Sequence, residues 1–191
     1  MSFALSPVFT RALWCTVAAT TSLGALAAAP VHTTASEQAR SMDVLRAFDK
    51  LCNAPQLTFD VLSARATATG MKSMAAAPAA ATGAGKRAGR WGGNLPSGEF
   101  ALLVDESRGD KGVLTSCAVA AEVGDADVFR SAAIKTMQLR ADTRSETGTD
   151  GHRSFDFGIV RPPSTRITIT DFKPKGLNRV LVAVSTLAPA R

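Results

Sequence analysis

Three stretches of the chain carry apolar residues at helical spacing. In the first, Met42, Leu45, Phe48 and Cys52 recur at steps of three and four residues, with charged residues between them. This spacing places them on one face of a helix over 36–53. Similar spacing predicts two more helices, over 55–69 and over 125–140, and Asp125 is expected to be the N-cap of the second of these.

Alternating apolar and polar residues predict strands in much of the remaining chain. Residues 99–104 and 113–123 are predicted to form a hairpin with turn residues between them. Cys117 falls on the same strand face as Val113 and Val119, which we expect to meet the core. Three further strands are predicted over 155–160, 166–172 and 179–187, the last of them as a central strand.

The order of these elements indicates an α+β domain. We expect an antiparallel sheet of about five strands with two to three helices packed on one face. The domain is predicted to comprise a helical part over 30–70 and a sheet part over 99–191, joined by the segment 71–98.

The segment 71–98 is rich in alanine and glycine, which predicts a linker or mobile loop without a core of its own. Trp91 is the exception within it. Buried area is what a lone tryptophan usually supplies, so we expect its ring to fill the domain core. The alternative is a ring exposed for a partner.

Residues 1–29 have the three parts of a secretory signal peptide. Arg11 is the only charge among the first 36 residues, and a short apolar stretch follows it. Small residues then supply a cleavage site near Ala27 to Ala29, which predicts a periplasmic or secreted protein. An uncleaved anchor is the alternative, but the stretch is shorter than the roughly twenty apolar residues of a membrane span. We expect no transmembrane span after cleavage.

Cysteine usage agrees with export. Cleavage would remove Cys15 and leave Cys52 and Cys117 in an oxidising compartment, where two cysteines are expected to form one disulfide. A redox or nucleophilic thiol is the alternative. The sequence has no C-x-x-C motif and no histidine beside either cysteine to lower its pKa. The predicted bridge would pin the first helix across the sheet.

Motifs for catalysis, metals and cofactors are weak. Residues 80–87 end in Gly-Lys but lack the first glycine and the Ser or Thr of a phosphate-binding loop. His32 lies beside the cleavage site, and no zinc or calcium pattern is present. We therefore expect a non-enzymatic protein without a cofactor or metal. The alternative is a hydrolase-like enzyme whose site is assembled around His152 and a carboxylate such as Asp150 or Asp156.

The formal net charge is +6 at pH 7, and the excess of base lies in 151–191. A partly basic sheet face there would attract an anionic envelope component or an acidic protein. Nucleic acid is not expected, because the phenylalanines alternate towards the core instead of interleaving with the cations. The alternative is a solvated face that keeps edge strands from pairing. The candidate residues for an anionic partner are Arg153, Arg161, Arg166, Lys173, Lys175 and Arg179.

The layout Phe48-x-x-x-Cys52, a later tryptophan and Cys117 in a short strand before a helix resembles small, uncharacterised exported proteins of proteobacteria. The likeness covers roughly residues 40–140. It implies an exported domain with paired cysteines and brings no activity or catalytic residues. These features together predict an exported, non-enzymatic protein that is envelope-associated or serves as a protein-interaction domain.

Overall fold

In the described part of the chain, a sheet forms one layer and three helices form the other. The computed structural model describes residues 35–54, 56–74, 85–140, 144–147, 152–158, 165–172 and 177–189. Its helices are α1 (Ala35–Cys52), α2 (Phe59–Ala68) and α3 (Ala126–Met137). None of these described helices is long and apolar enough to cross a bilayer. The strands are β1 (Lys72–Ser73), β2 (Lys86–Leu95), β3 (Gly98–Gly109), β4 (Gly112–Glu122), β5 (Arg144–Thr147), β6 (Arg153–Gly158), β7 (Thr165–Phe172) and β8 (Arg179–Ala188).

The eight described strands form one antiparallel sheet in the order β1-β2-β3-β4-β8-β7-β6-β5. The C-terminal strand β8 lies in the middle, between β4 and β7. The two edges are short: β1 has two residues and β5 has four. Short edge strands offer few unpaired backbone groups to another sheet.

The predicted α+β fold is confirmed, and the predicted count of about five strands is too low. The strands missed are β1, β2 and β5. Strand β5 lies in a polar stretch without apolar alternation, and its backbone pairs with β6. Hydrophobic pattern therefore carries no signal for it.

Glycine in β2 makes room for an aromatic ring, which explains why part of the predicted linker over 71–98 is instead a strand. A Cβ atom at Gly89 would lie 2.2 Å from Cη2 of Trp91, closer than any van der Waals contact. The Trp91 side chain is 8% exposed and belongs to the core, as predicted. Residues 75–84 of the predicted linker lie outside the described residues.

The bounds of the helices follow from local capping. The Thr58 hydroxyl accepts a hydrogen bond from the Val61 N–H at the start of α2. Gly70 follows the end of this helix with φ +74°, a left-handed conformation that favours glycine. The Asp125 carboxylate accepts from two N–H groups in the first turn of α3, including that of Val128 at 3.0 Å. The sequence predicted this N-cap.

The hydrophobic core lies between the helices and one face of the sheet. Phe48 of α1, Leu62 of α2 and Phe129 of α3 are all buried in it. The strands contribute alternate side chains from the same sheet face, which we call the helix-covered face. The strand residues buried there include Leu102, Val104, Val119, Ile169 and Val182.

The predicted disulfide is present in the structure. Cys52 at the end of α1 is bonded to Cys117 of β4, with their Cα atoms 5.6 Å apart. Both side chains are fully buried in the core. The bridge therefore fastens α1 to the middle of the sheet.

Candidate interaction surface

Arg153 lies on the helix-covered face, where it takes part in a cluster of ion pairs. Its Nε and Nη2 atoms donate hydrogen bonds to the two carboxylate oxygens of Asp171 at 2.9 and 2.7 Å. Arg130 of α3 lies 3.5 Å from the same buried carboxylate and stacks over the Phe155 ring at 4.1 Å. Asp127 accepts hydrogen bonds from both guanidinium groups. The cluster thus fastens α3 to β6 and β7.

The charges of this cluster shift the pKa values of its members. Burial favours the neutral form of Asp127, yet Arg130 and Arg153 outweigh it and hold the pKa of this carboxyl below its ordinary value. The hydrogen bond to Asp171 raises the pKa of Arg153. Because the folded pKa of Asp127 is lowered, its pairing stabilises the fold above pH about 4 and is lost on further acidification.

A second charged cluster positions α2. The buried carboxylate of Glu106 on β3 accepts a hydrogen bond from the backbone N–H of Phe59 at 3.1 Å. A carboxylate is favoured at a helix N-terminus by the helix dipole. Arg87 of β2 stacks over the Phe59 ring at 4.2 Å and hydrogen-bonds to Asp60, which lowers the pKa of that carboxyl. These contacts give the cluster a structural role.

The proposed hydrolase site is built around His152, which is half-buried and directly precedes β6. Of its proposed carboxylate partners, Asp150 lies outside the described residues. Asp156 accepts a hydrogen bond from Thr168 at 2.7 Å and lies 3.5 Å from Arg166. No group of three potential metal ligands occurs within the described ranges. The hydrolase alternative stays a hypothesis.

A groove of about 1200 Å³ runs past α1 and the turn between β2 and β3. Its lining includes cations such as Arg40 and Lys50, the carboxylate of Asp43, and apolar side chains such as Met71 and Phe100. A small-molecule site usually combines an apolar enclosure with a few converging polar groups. The mixed lining of this open groove does not specify such a ligand.

The cations predicted to bind an anionic partner are divided between the two faces of the sheet. Arg153 pairs with Asp171 in the register of β6 and β7, on the helix-covered face. Arg166 and Arg179 lie on the opposite face, which we call the open face. Each has a carboxylate beside it: Arg166 lies 3.5 Å from Asp156, and Arg179 lies directly opposite Glu122. The other three candidates, Arg161, Lys173 and Lys175, lie outside the described residues.

The open face has a centre of small and aliphatic side chains, which we call the open-face patch. The strand register aligns them in two adjacent rows across β3, β4 and β8. None of them belongs to the hydrophobic core between the sheet and the helices, but Ala118 and Ala183 are only 6% and 8% exposed, and the other four are half-buried. The patch comprises Leu103, Ala118 and Ala183 in one row and Ala101, Ala120 and Leu181 in the next.

Charged side chains surround the open-face patch and leave its centre uninterrupted. Beyond one end of it, Leu114 and Leu187 lie opposite each other and are 45% and 38% exposed. An apolar centre within a polar rim is the usual anatomy of a protein–protein interface. The charged residues of the rim in the described chain include Arg90, Glu99, Asp105, Glu122, Asp156, Arg166 and Arg179.

Comparison with known proteins finds no relative of this chain. No protein-family model, no curated protein and no solved structure matches this chain. The resemblance to exported proteins of proteobacteria stays a prediction that rests on the residues quoted for it.

Proposed function

We propose that this chain is an exported, non-enzymatic interaction domain that binds a protein partner through the open-face patch. One observation carries the proposal: in the described chain, helices pack on one face of the sheet and leave an apolar centre on the other. Burying such a patch against a partner releases water from apolar surface and is favourable. The charged rim then orients the partner.

Export is supported by the N-terminal pattern and by the disulfide. Disulfides persist in the periplasm and outside the cell and are rare in the cytosol. The bridge between Cys52 and Cys117 lies inside the core and closes a loop of 65 residues. The proposal includes cleavage of a signal peptide near Ala27 to Ala29, with the mature protein in the periplasm or secreted.

The rim favours a protein surface over a purely anionic partner. Its described members include three cations and four carboxylates, so the open face does not present a single sign of charge. An anionic lipid or polymer is attracted by a one-signed cationic surface and is released by salt. A protein surface with an apolar centre matches the patch better.

Hydroxyl-radical footprinting tests this assignment. The protein is labelled in its native envelope fraction and again as a dilute purified protein. We expect Leu187 to be protected in the envelope fraction and labelled when dilute. Val61 on α2 is the matched control, since it is 39% exposed against 38% for Leu187. It should be labelled equally in both preparations.

Two outcomes would contradict the assignment of the open-face patch as a protein-binding surface. Equal labelling of Leu187 in both preparations would show that nothing covers this face in the envelope. Protection of Leu187 that is lost at high salt and restored by anionic phospholipid vesicles would assign the surface to lipid.

A further inference from the structure

We propose that the partner of the open-face patch is a second copy of this chain, packed face to face about a two-fold axis. This inference rests on the proposed function and names its partner. The axis runs parallel to the strands between β4 and β8, the middle pair of the six strands β2-β3-β4-β8-β7-β6. A half-turn about it lays β4 on the partner's β8, β3 on the partner's β7 and β2 on the partner's β6.

The strand register makes six of the charged rim residues complementary to one another under this half-turn. One row of paired residues runs across the sheet from Arg90 on β2 to Asp156 on β6, so Arg90 faces the partner's Asp156. In the next row, Asp105 on β3 faces the partner's Arg166 from β7. Two-fold symmetry forms each contact twice. A third complementary pair lies next to the axis: Glu122 and Arg179.

The half-turn also places apolar residues of β4 opposite apolar residues of the partner's β8. Ala118 of β4 faces the partner's Ala183 from β8. Leu114 faces the partner's Leu187, and these are among the exposed large apolar side chains of the domain. Packed sheets lie about 10 Å apart with interdigitated side chains, and alanines at the centre permit this approach. The half-turn therefore brings apolar residues together next to the axis and opposite charges together at the rim, while Leu103 and Ala101 face the partner's Thr168 and the partner's Thr170.

The open face is also large enough for a stable dimer. At about 4.8 Å between strands and about 3.4 Å per residue, six strands of about eight residues cover roughly 700 Å². A standard stable interface buries roughly 800 Å² on each partner. The edges of the sheet offer little competition, because β1 and β5 are so short. The face is thus the main surface through which this sheet can pair with another.

Aligned sheets pack at an angle of about 30°, which displaces facing positions on outer strands by several ångströms. The long side chains of Arg90 and Arg166 span such a displacement. Residues close to the axis, including Ala118 and Ala183, are displaced least. The charge pairs therefore remain within reach when the two sheets adopt their natural twist.

Sedimentation velocity of the exported, purified protein tests the inference. We expect a dimer at about 10 µM. Asp105→Arg and Arg166→Asp each place like charges together at two symmetric contacts, so each single variant should weaken dimerisation roughly 100-fold. The combined Asp105→Arg/Arg166→Asp variant restores opposite charges and should return the affinity to within about tenfold of the wild type.

The matched control exchanges charges on the solvent side of α1. Arg46, whose side chain is 74% exposed, forms an ion pair there with the half-buried Asp43, and the variant Asp43→Arg/Arg46→Asp should leave the dimer unchanged. Thermal unfolding of every variant establishes that the domain is folded.

A wild-type protein that sediments as a monomer at about 100 µM overturns the inference. A dimer that survives both single reversals also overturns it, because its interface lies elsewhere. If the protein is monomeric but Leu187 is still protected in the envelope fraction, the second copy is excluded and the proposed function stands. If Leu187 is labelled equally in both preparations as well, both proposals fail.

Discussion

The variant Cys52→Ala/Cys117→Ala is expected to lose roughly 4 kcal/mol of its free energy of unfolding. The bridge closes a loop of 65 residues, and removing it restores the freedom of that loop to the unfolded chain. For a domain of this size the loss lowers the midpoint of thermal unfolding by roughly 8–16 °C. Alanine is chosen because both cysteines are buried among apolar side chains.

Urea unfolding of the oxidised protein, the reduced protein and the double variant measures this contribution. The reduced wild type should fall close to the double variant, and adding reductant to the variant should change nothing. A difference of less than about 1 kcal/mol between oxidised and reduced wild type would contradict the stabilising role of the bridge.

The second large effect is expected at Trp91. Trp91→Ala removes a buried ring that packs against Phe59, with the ring centres 6.4 Å apart, and should cost roughly 3–5 kcal/mol. Gly89→Ala should cost roughly 1–3 kcal/mol in the wild-type protein, because its new Cβ atom collides with the Trp91 ring. In the Trp91→Ala background the obstacle is gone, so the same substitution should cost little.

A double-mutant cycle measured by chemical denaturation tests this coupling. Gly109→Ala is the matched control, since a Cβ atom at Gly109 would meet no atom within 4 Å. We expect it to change the free energy of unfolding by no more than about 0.5 kcal/mol. Additive effects of Gly89→Ala and Trp91→Ala would show that the ring does not occupy the space above Gly89.

The elements that could be predicted from the sequence are those whose sequence pattern lies within a single helix or hairpin. The apolar spacing along α1 and the N-cap at Asp125 lie within one helix each, and both appear in the structure. The hairpin of β3 and β4 also follows from alternation, although its strands extend to a turn of only two residues, Asp110 and Lys111. The Cys52–Cys117 bridge follows from cysteine usage and the N-terminal pattern.

Elements whose signals depend on distant residues could not be predicted. Glycines are unfavourable in strands on their own, and the places of Gly89 and Gly93 in β2 are explained by the aromatic rings that lie over them. The Phe100 ring comes within 2.6 Å of where a Cβ atom of Gly93 would lie, and Phe100 belongs to the next strand. No pattern within residues 86–95 shows that a ring from β3 fills this space.

The candidate surface was only partly visible in the sequence. Alternation shows which residues of one strand share a face, but the register between strands decides which strand faces coincide. Arg153 and Arg166 were therefore expected on one face, and the register of β6 and β7 places them on opposite faces. One available signal for the open face was the alternation of small and large residues in β4, where Ala118 and Ala120 flank Val119.

The central claim is that the protein is exported with Cys52 and Cys117 oxidised, because both the envelope partner and the stabilising bridge depend on it. The most direct measurement is the intact mass of the protein from its native envelope fraction, with and without reduction and thiol alkylation. We predict a chain that begins near residue 28 or 30, is about two hydrogens lighter than its dithiol form, and is alkylated only after reduction. A full-length chain whose thiols are alkylated without reduction would contradict both export and the bridge.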